Sequence, residues 1–220
     1  TRQAYRKAAP ATANRATARA RRATLMALIC GIRTAIKSAR LSRGLRPMTK
    51  VELETISSNR SHGGTQGVYR HASTATGTPM TLSVFVPDGP GPFPVLWYLS
   101  GLTCTSANVT EKGEFRAACS DAGVIFIAPD TSPRGDDVAD DESYDFGQGA
   151  GFYVNATQAP FARHYQMQTY IEDELPALIA QHFPVDMTRQ SITGHSMGGH
   201  GALTIGLRHP DRFKSVSAFA

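Results

Sequence analysis

The residues whose types and spacing can do chemistry concentrate in Gly194-His195-Ser196-Met197-Gly198, a GxSxG motif that continues as GHSMGGHGAL. A serine hydroxyl is a weak nucleophile until it is set beside a base and beside donors for the developing oxyanion. A tight strand-to-helix turn can present it in that way, and such a turn is crowded enough to call for glycine on both sides of the serine. Ser196 then stands at the start of a helix, and the Met197 N–H points to where a tetrahedral oxyanion would form. A β-rich segment precedes the motif and a helix of small residues follows it, so acyl transfer through Ser196 is the chemistry expected, in preference to a chance Gly/Ser turn.

A second group, Ser100-Gly101-Leu102-Thr103-Cys104-Thr105, directly follows the apolar run PVLWYL. A loop leaving the end of such a strand can supply the other oxyanion donor, here the Leu102 N–H, with Gly101 letting the backbone turn inward. The base and its acid are harder to place. His195 and His200 flank the turn, His209 and Asp211 close the following helix, and His164 and His182 bracket an earlier one, where packing roles are expected. Asp136, Asp137, Asp140, Asp141, Glu142 and Asp145 cluster without EF-hand spacing, so a solvated acidic loop is favoured over a metal site.

The elements that must position these groups follow from periodicity. VELETIS and GVYRHAS read as strands around a turn in SHGGTQG, and MTLSVFV as a third strand. PVLWYL and VIFIA are continuous apolar runs of the kind buried on both faces of a sheet, separated by a helix over EKGEFRAACSDAG. Residues 161–182 read as a second helix, SIT as a short strand, GALTIGLRH as a helix stopped by Pro210, and KSVSAFA as a last strand. The alternation predicts an α/β class with a mainly parallel sheet flanked by helices.

Composition divides the chain in two. Thirteen of the 23 basic residues fall within 1–50 with no acidic residue, leaving ten against all 18 acidic ones in the remainder. A basic extension over 1–47, disordered or weakly helical, is therefore joined to an acidic domain over 48–220, and Met48 is read as the start of that domain. An organelle-targeting peptide has such a composition, but GC-rich DNA yields it by chance, and chance is the preferred reading. A nucleic-acid-binding arm is weaker still, because no aromatic residues are interleaved for stacking. Three cysteines, Cys30, Cys104 and Cys119, show no CxxC spacing and argue against a disulfide framework or a zinc site.

YLSGLTCT, APDTSPRG, YDFGQGAGFYVNAT, HYQMQTYIEDELPALI and GHSMGGHGALTIGLRHP occur in this order. With them the chain from about Met48 to Ala220 resembles the S-formylglutathione hydrolase (esterase D) family of α/β-hydrolases. The resemblance implies a cytoplasmic thioesterase, commonly a homodimer, that hydrolyses S-formylglutathione to glutathione and formate without metal or organic cofactor, nucleic acid or membrane. It implies Ser196 as nucleophile, Leu102 and Met197 as backbone oxyanion donors, Gly194 and Gly198 as the elbow glycines, and Cys104 as a cysteine near the active site. A small buried filler is an equally good reading of Cys104. Arg134 and Arg163 are candidate contacts for the glutathione carboxylates. The family's triad acid and histidine fall beyond the position of Ala220, so the fold is expected to be incomplete at the C-terminus and the 220 residues inactive. KSVSAFA would then form an exposed, aggregation-prone sheet edge. Two other readings stay open: a related carboxylesterase or acyltransferase, and a non-catalytic truncated product.

Overall fold

Short alternating strands over 54–87 and longer apolar runs beyond them set the architecture of the computed structural model, which describes residues 51–220. The basic extension, with Cys30, lies outside the described residues. β1 (Glu54–Ser61) and β2 (Gly64–Ala72) form a hairpin. Its two turn residues, His62 and Gly63, both have positive φ, at 46° and 70°. This twist suits a two-residue hairpin, and it lets the strands run through most of SHGGTQG, where the sequence suggested a longer turn. β3 (Pro79–Pro87), β4 (Phe93–Leu99), β5 (Ile125–Pro129), β6 (Val185–His195) and β7 (Phe213–Phe219) complete a seven-stranded sheet in the order β1-β2-β3-β5-β4-β6-β7.

The pairings divide the sheet. β1-β2, β2-β3 and β3-β5 are antiparallel, whereas β5-β4, β4-β6 and β6-β7 are parallel. The parallel character expected from the sequence therefore belongs to one half, and the sheet as a whole is mixed. β6 is also much longer than SIT. Its first half, VDMTRQ, is mostly polar and partly exposed, with only Val185 and Met187 apolar, so its apolar signal is weak.

Helices cover both faces. Ile125 and Ile127 of β5 join Val95, Trp97, Leu99 and Ile192 in the larger core. Alternate residues Phe126 and Ala128 face the other way, with Phe85 and Cys119. The larger core is closed by α3 (Met167–Thr169), a wider π-type turn (Tyr170–Glu174), α4 (Leu175–His182) and α5 (Met197–Arg208). The smaller layer holds the stacked pair Phe115 and Phe126, with ring centroids 3.8 Å apart. Each fully buried large apolar side chain contributes about 1.5–3 kcal/mol relative to exposure.

Trp97 is the largest buried side chain, and its indole N–H donates to Gln190 Oε1 at 2.8 Å, so its one polar atom is satisfied. The single helix expected over EKGEFRAACSDAG is two: α1 (Ser106–Lys112) and α2 (Arg116–Ala122). A capping box of Thr105 and Asn108 starts α1, and Gly113, in an extended conformation, stops it.

Candidate active site

Ser196 connects β6 to α5 with φ 55° and ψ −121°. That combination matches the first central residue of a type II′ turn, where glycine is the relaxed choice. The conformation is held from outside the turn: the Ser196 N–H donates to the Phe219 carbonyl at 2.7 Å, and the Ser196 carbonyl accepts from the His200 N–H at 3.1 Å. Its side chain is left exposed. The two elbow glycines are steric requirements. A Cβ on Gly198 would fall inside the Leu99 carbonyl group, and one on Gly194 would overlap the Gly198 carbonyl.

The 100–105 loop lies directly against this turn, because a Cβ on Gly101 would be 3.4 Å from Ser196 Cβ. Several polar backbone atoms of the loop are engaged. The Ser100 carbonyl accepts from Tyr153 Oη at 2.8 Å. Cys104 N–H donates to the Gly101 carbonyl at 3.2 Å, and Thr103 N–H to the Gly149 carbonyl at 3.0 Å. The Cys104 carbonyl accepts from Thr131 Oγ1 and, at 3.0 Å, from Arg134 Nη2. Thr105 N–H is taken by Asn108 Oδ1 at 2.9 Å. Leu102 N–H, by contrast, has no partner among the described residues, and neither has Met197 N–H at the head of α5. A hydroxyl held in a strained turn beside two unengaged amides can form and stabilise a tetrahedral oxyanion.

Cys104 is half-buried, and with His195, Tyr98 and Asn108 it lines a cavity of about 350 Å³ beside the turn. Cys119 belongs to the smaller core layer, where burial pushes its thiol up to about 11. Three other histidines have their partners away from Ser196. His164 Nδ1 pairs with the Thr76 carbonyl at 2.7 Å, His182 Nε2 with the Val51 carbonyl at 2.8 Å, and His209 Nε2 with Glu172 at 3.3 Å. Among the described residues no side chain hydrogen-bonds the Ser196 hydroxyl. In the acidic loop, Asp140 and Asp141 accept the Gln148 and Ser143 amides at 2.7 and 2.9 Å. No three His, Cys, Asp or Glu side chains among the described residues converge as a metal site.

The contacts that several residues make in this corner give no sign in the sequence. Arg134, a candidate substrate contact by resemblance, turns inward to Asp130 (3.3 Å), Thr131 and the Cys104 carbonyl. Arg163 is exposed. Burial raises the Asp130 carboxyl above the usual range, opposed by the Arg134 guanidinium and by the Thr131 N–H that it accepts at 2.7 Å. Tyr153, wholly buried, has its phenol pushed well above its ordinary value by desolvation. Only contact across the fold brings these groups to loop residues 27 to 53 positions away in sequence.

Sheet, flanking helices and serine turn together define an α/β-hydrolase. The chain belongs to the Esterase family, whose description reads "Putative esterase" and which residues 73–220 match. It is similar to the S-formylglutathione hydrolase of Paracoccus denitrificans, 59% identical over 169 residues covering 76% of this chain and 61% of that protein. The mouse S-formylglutathione hydrolase is 51% identical over 171 residues, with the same coverage of 76% and 61%. Among solved structures, the S-formylglutathione hydrolase of Agrobacterium tumefaciens is 56% identical with a TM-score of 0.74, covering 75% of this chain and 61% of that one. The chain thus spans about three fifths of the length of the relatives it matches. No helix among the described residues is long and apolar enough to cross a membrane.

Proposed function

We infer that the whole protein is a serine thioesterase that hydrolyses S-formylglutathione to glutathione and formate. The observation that carries this reading is the similarity, 59% and 51%, to two proteins of that name, over a segment that includes a strained serine beside two unengaged amides. Ser196 Oγ attacks the thioester carbonyl and loses its proton to a histidine. The oxyanion accepts from the N–H groups of Leu102 and Met197, and collapse expels glutathione as a thiolate. Water then attacks the formyl-serine ester, releasing formate and restoring the hydroxyl. Neither step needs a metal or an organic cofactor.

No histidine among residues 51–220 hydrogen-bonds Ser196, and the resemblance puts the base and the acid that orients it in the part of the relatives' length that this chain does not span. A cytoplasmic homodimer is the setting that the resemblance adds. The test is turnover of S-formylglutathione by the whole protein, followed as thioester loss, with Ser196→Ala as control. Turnover that disappears in the variant supports the reading. Turnover of simple esters without turnover of the thioester overturns its substrate assignment.

A further inference from the structure

We propose that Arg134 and Thr131 are positioning residues that clamp the Cys104 carbonyl and thereby aim the Leu102 N–H at the reacting carbonyl; this rests on the serine-hydrolase reading above. Leu102 lies between two fixed points. On one side the Ser100 carbonyl is pinned by the buried Tyr153 hydroxyl at 2.8 Å. On the other, the Cys104 carbonyl takes two donors at once, Thr131 Oγ1 and Arg134 Nη2. Between them Thr103 is in the left-handed region with φ 62°. A residue other than glycine holds that conformation only when its surroundings impose it. The opposing surface is close: a Cβ on Gly149 would be 3.0 Å from Thr103 Cα.

The clamp is itself fixed. Arg134 Nη2 lies 3.3 Å from Thr131 Oγ1, so both donors belong to one network. Asp130, buried at the end of β5, receives Arg134 Nε at 3.3 Å and Thr131 N–H at 2.7 Å. A guanidinium presents several donors in one rigid plane, so it can engage the carboxylate and the loop carbonyl together, which a lysine cannot do. The network therefore ties the loop after β4 to the segment after β5, the neighbouring parallel strand. Donor aim is where catalytic effect concentrates, since an oxyanion donor is worth about 10²–10³ in turnover.

The experiment uses the whole protein with p-nitrophenyl acetate, S-formylglutathione and a trifluoromethyl ketone that forms a tetrahedral adduct with the serine. Active sites are counted by titration with a fluorophosphonate. For Arg134→Met, kcat per active site is expected to fall at least about tenfold on either substrate with KM within about twofold, part of the full value of a donor. Ki for the ketone should weaken in the same proportion as kcat/KM, and Arg134→Lys should recover part of the loss. Thr131→Val, which removes only the hydroxyl donor, gives a smaller loss of the same kind, and it carries the test if Arg134→Met does not fold. Unchanged kcat per site and unchanged Ki, with only a lower melting temperature or fewer active sites, overturn the proposal. Activity on the acetate without activity on the thioester overturns the substrate reading alone, and the clamp is then decided on the ester.

Discussion

The two ends of the sheet are held by different physics. At the parallel end, β4, β6 and α5 meet backbone to backbone, glycines let main chains approach within contact, and the key conformation is a strained one. At the antiparallel end, the turn between β2 and β3 is held by a side chain from far away in sequence: Glu174 accepts from Ser73 Oγ, Thr74 N–H and Ala75 N–H, each at 2.8 Å. Beneath it, buried His71 stacks on Tyr170, with Nε2 3.2 Å from the phenol oxygen. The first region should be vulnerable to added atoms and the second to altered charge. Strain at the first presents a serine side chain, whereas the network at the second holds a turn.

The sharpest separation comes from Ser196. Ser196→Gly should cut turnover of the whole protein by at least about 10⁴-fold, measured as kcat/KM. The same change should raise the urea midpoint by an amount equivalent to about 1 kcal/mol, because relief of φ 55° outweighs the entropy glycine adds to the unfolded chain. Ser196→Ala should lose activity equally without that gain. Next in size, Gly198→Ala forces a methyl group into the Leu99 carbonyl and should cost at least about 3 kcal/mol, read by thermal or urea unfolding.

At the other end, Glu174→Gln places an amide N–H2 where donors converge. A loss of about 1–3 kcal/mol is expected, with kcat/KM unchanged in the folded fraction. The smallest effect is a pH dependence. Desolvation holds His71 below its usual value of 6.5, with Glu174 opposing it. The unfolded chain therefore takes up the proton first, so this contribution is intact above 6.5 and fades as pH falls through the lower folded value. Urea midpoints at pH 7.5 and 5.5 should differ in that direction, and the part due to His71 should vanish in His71→Gln.

What the sequence disclosed follows the same division. The serine turn was legible because its requirements are local: five consecutive residues specify the strain, the two glycines and the helix start. The Leu102 loop was legible from its place after an apolar strand. The clamp was not, since Thr131 and Arg134 reach Cys104 only through the pairing of β4 with β5, and no spacing rule encodes that contact. α1 was hidden because it is short and rests on a Thr105–Asn108 capping box that precedes no apolar run. The first half of β6 was hidden because it extends as a mostly polar strand, and the expected helix over 161–182 begins as a separate 3₁₀ turn at Phe161–Arg163.

The hydrogen bond from the Ser196 amide to the Phe219 carbonyl has a consequence for synthesis. A nascent chain that has emerged only as far as Arg208 already carries all of GHSMGGHGAL, yet it lacks the acceptor that fixes the serine's backbone. Gly199 also packs beneath Phe219, with room for no Cβ, so strand and helix head must dock together. His195 pairs with Phe219 across the same ladder. The backbone that presents Ser196 is therefore fixed only once β7 has docked beside β6.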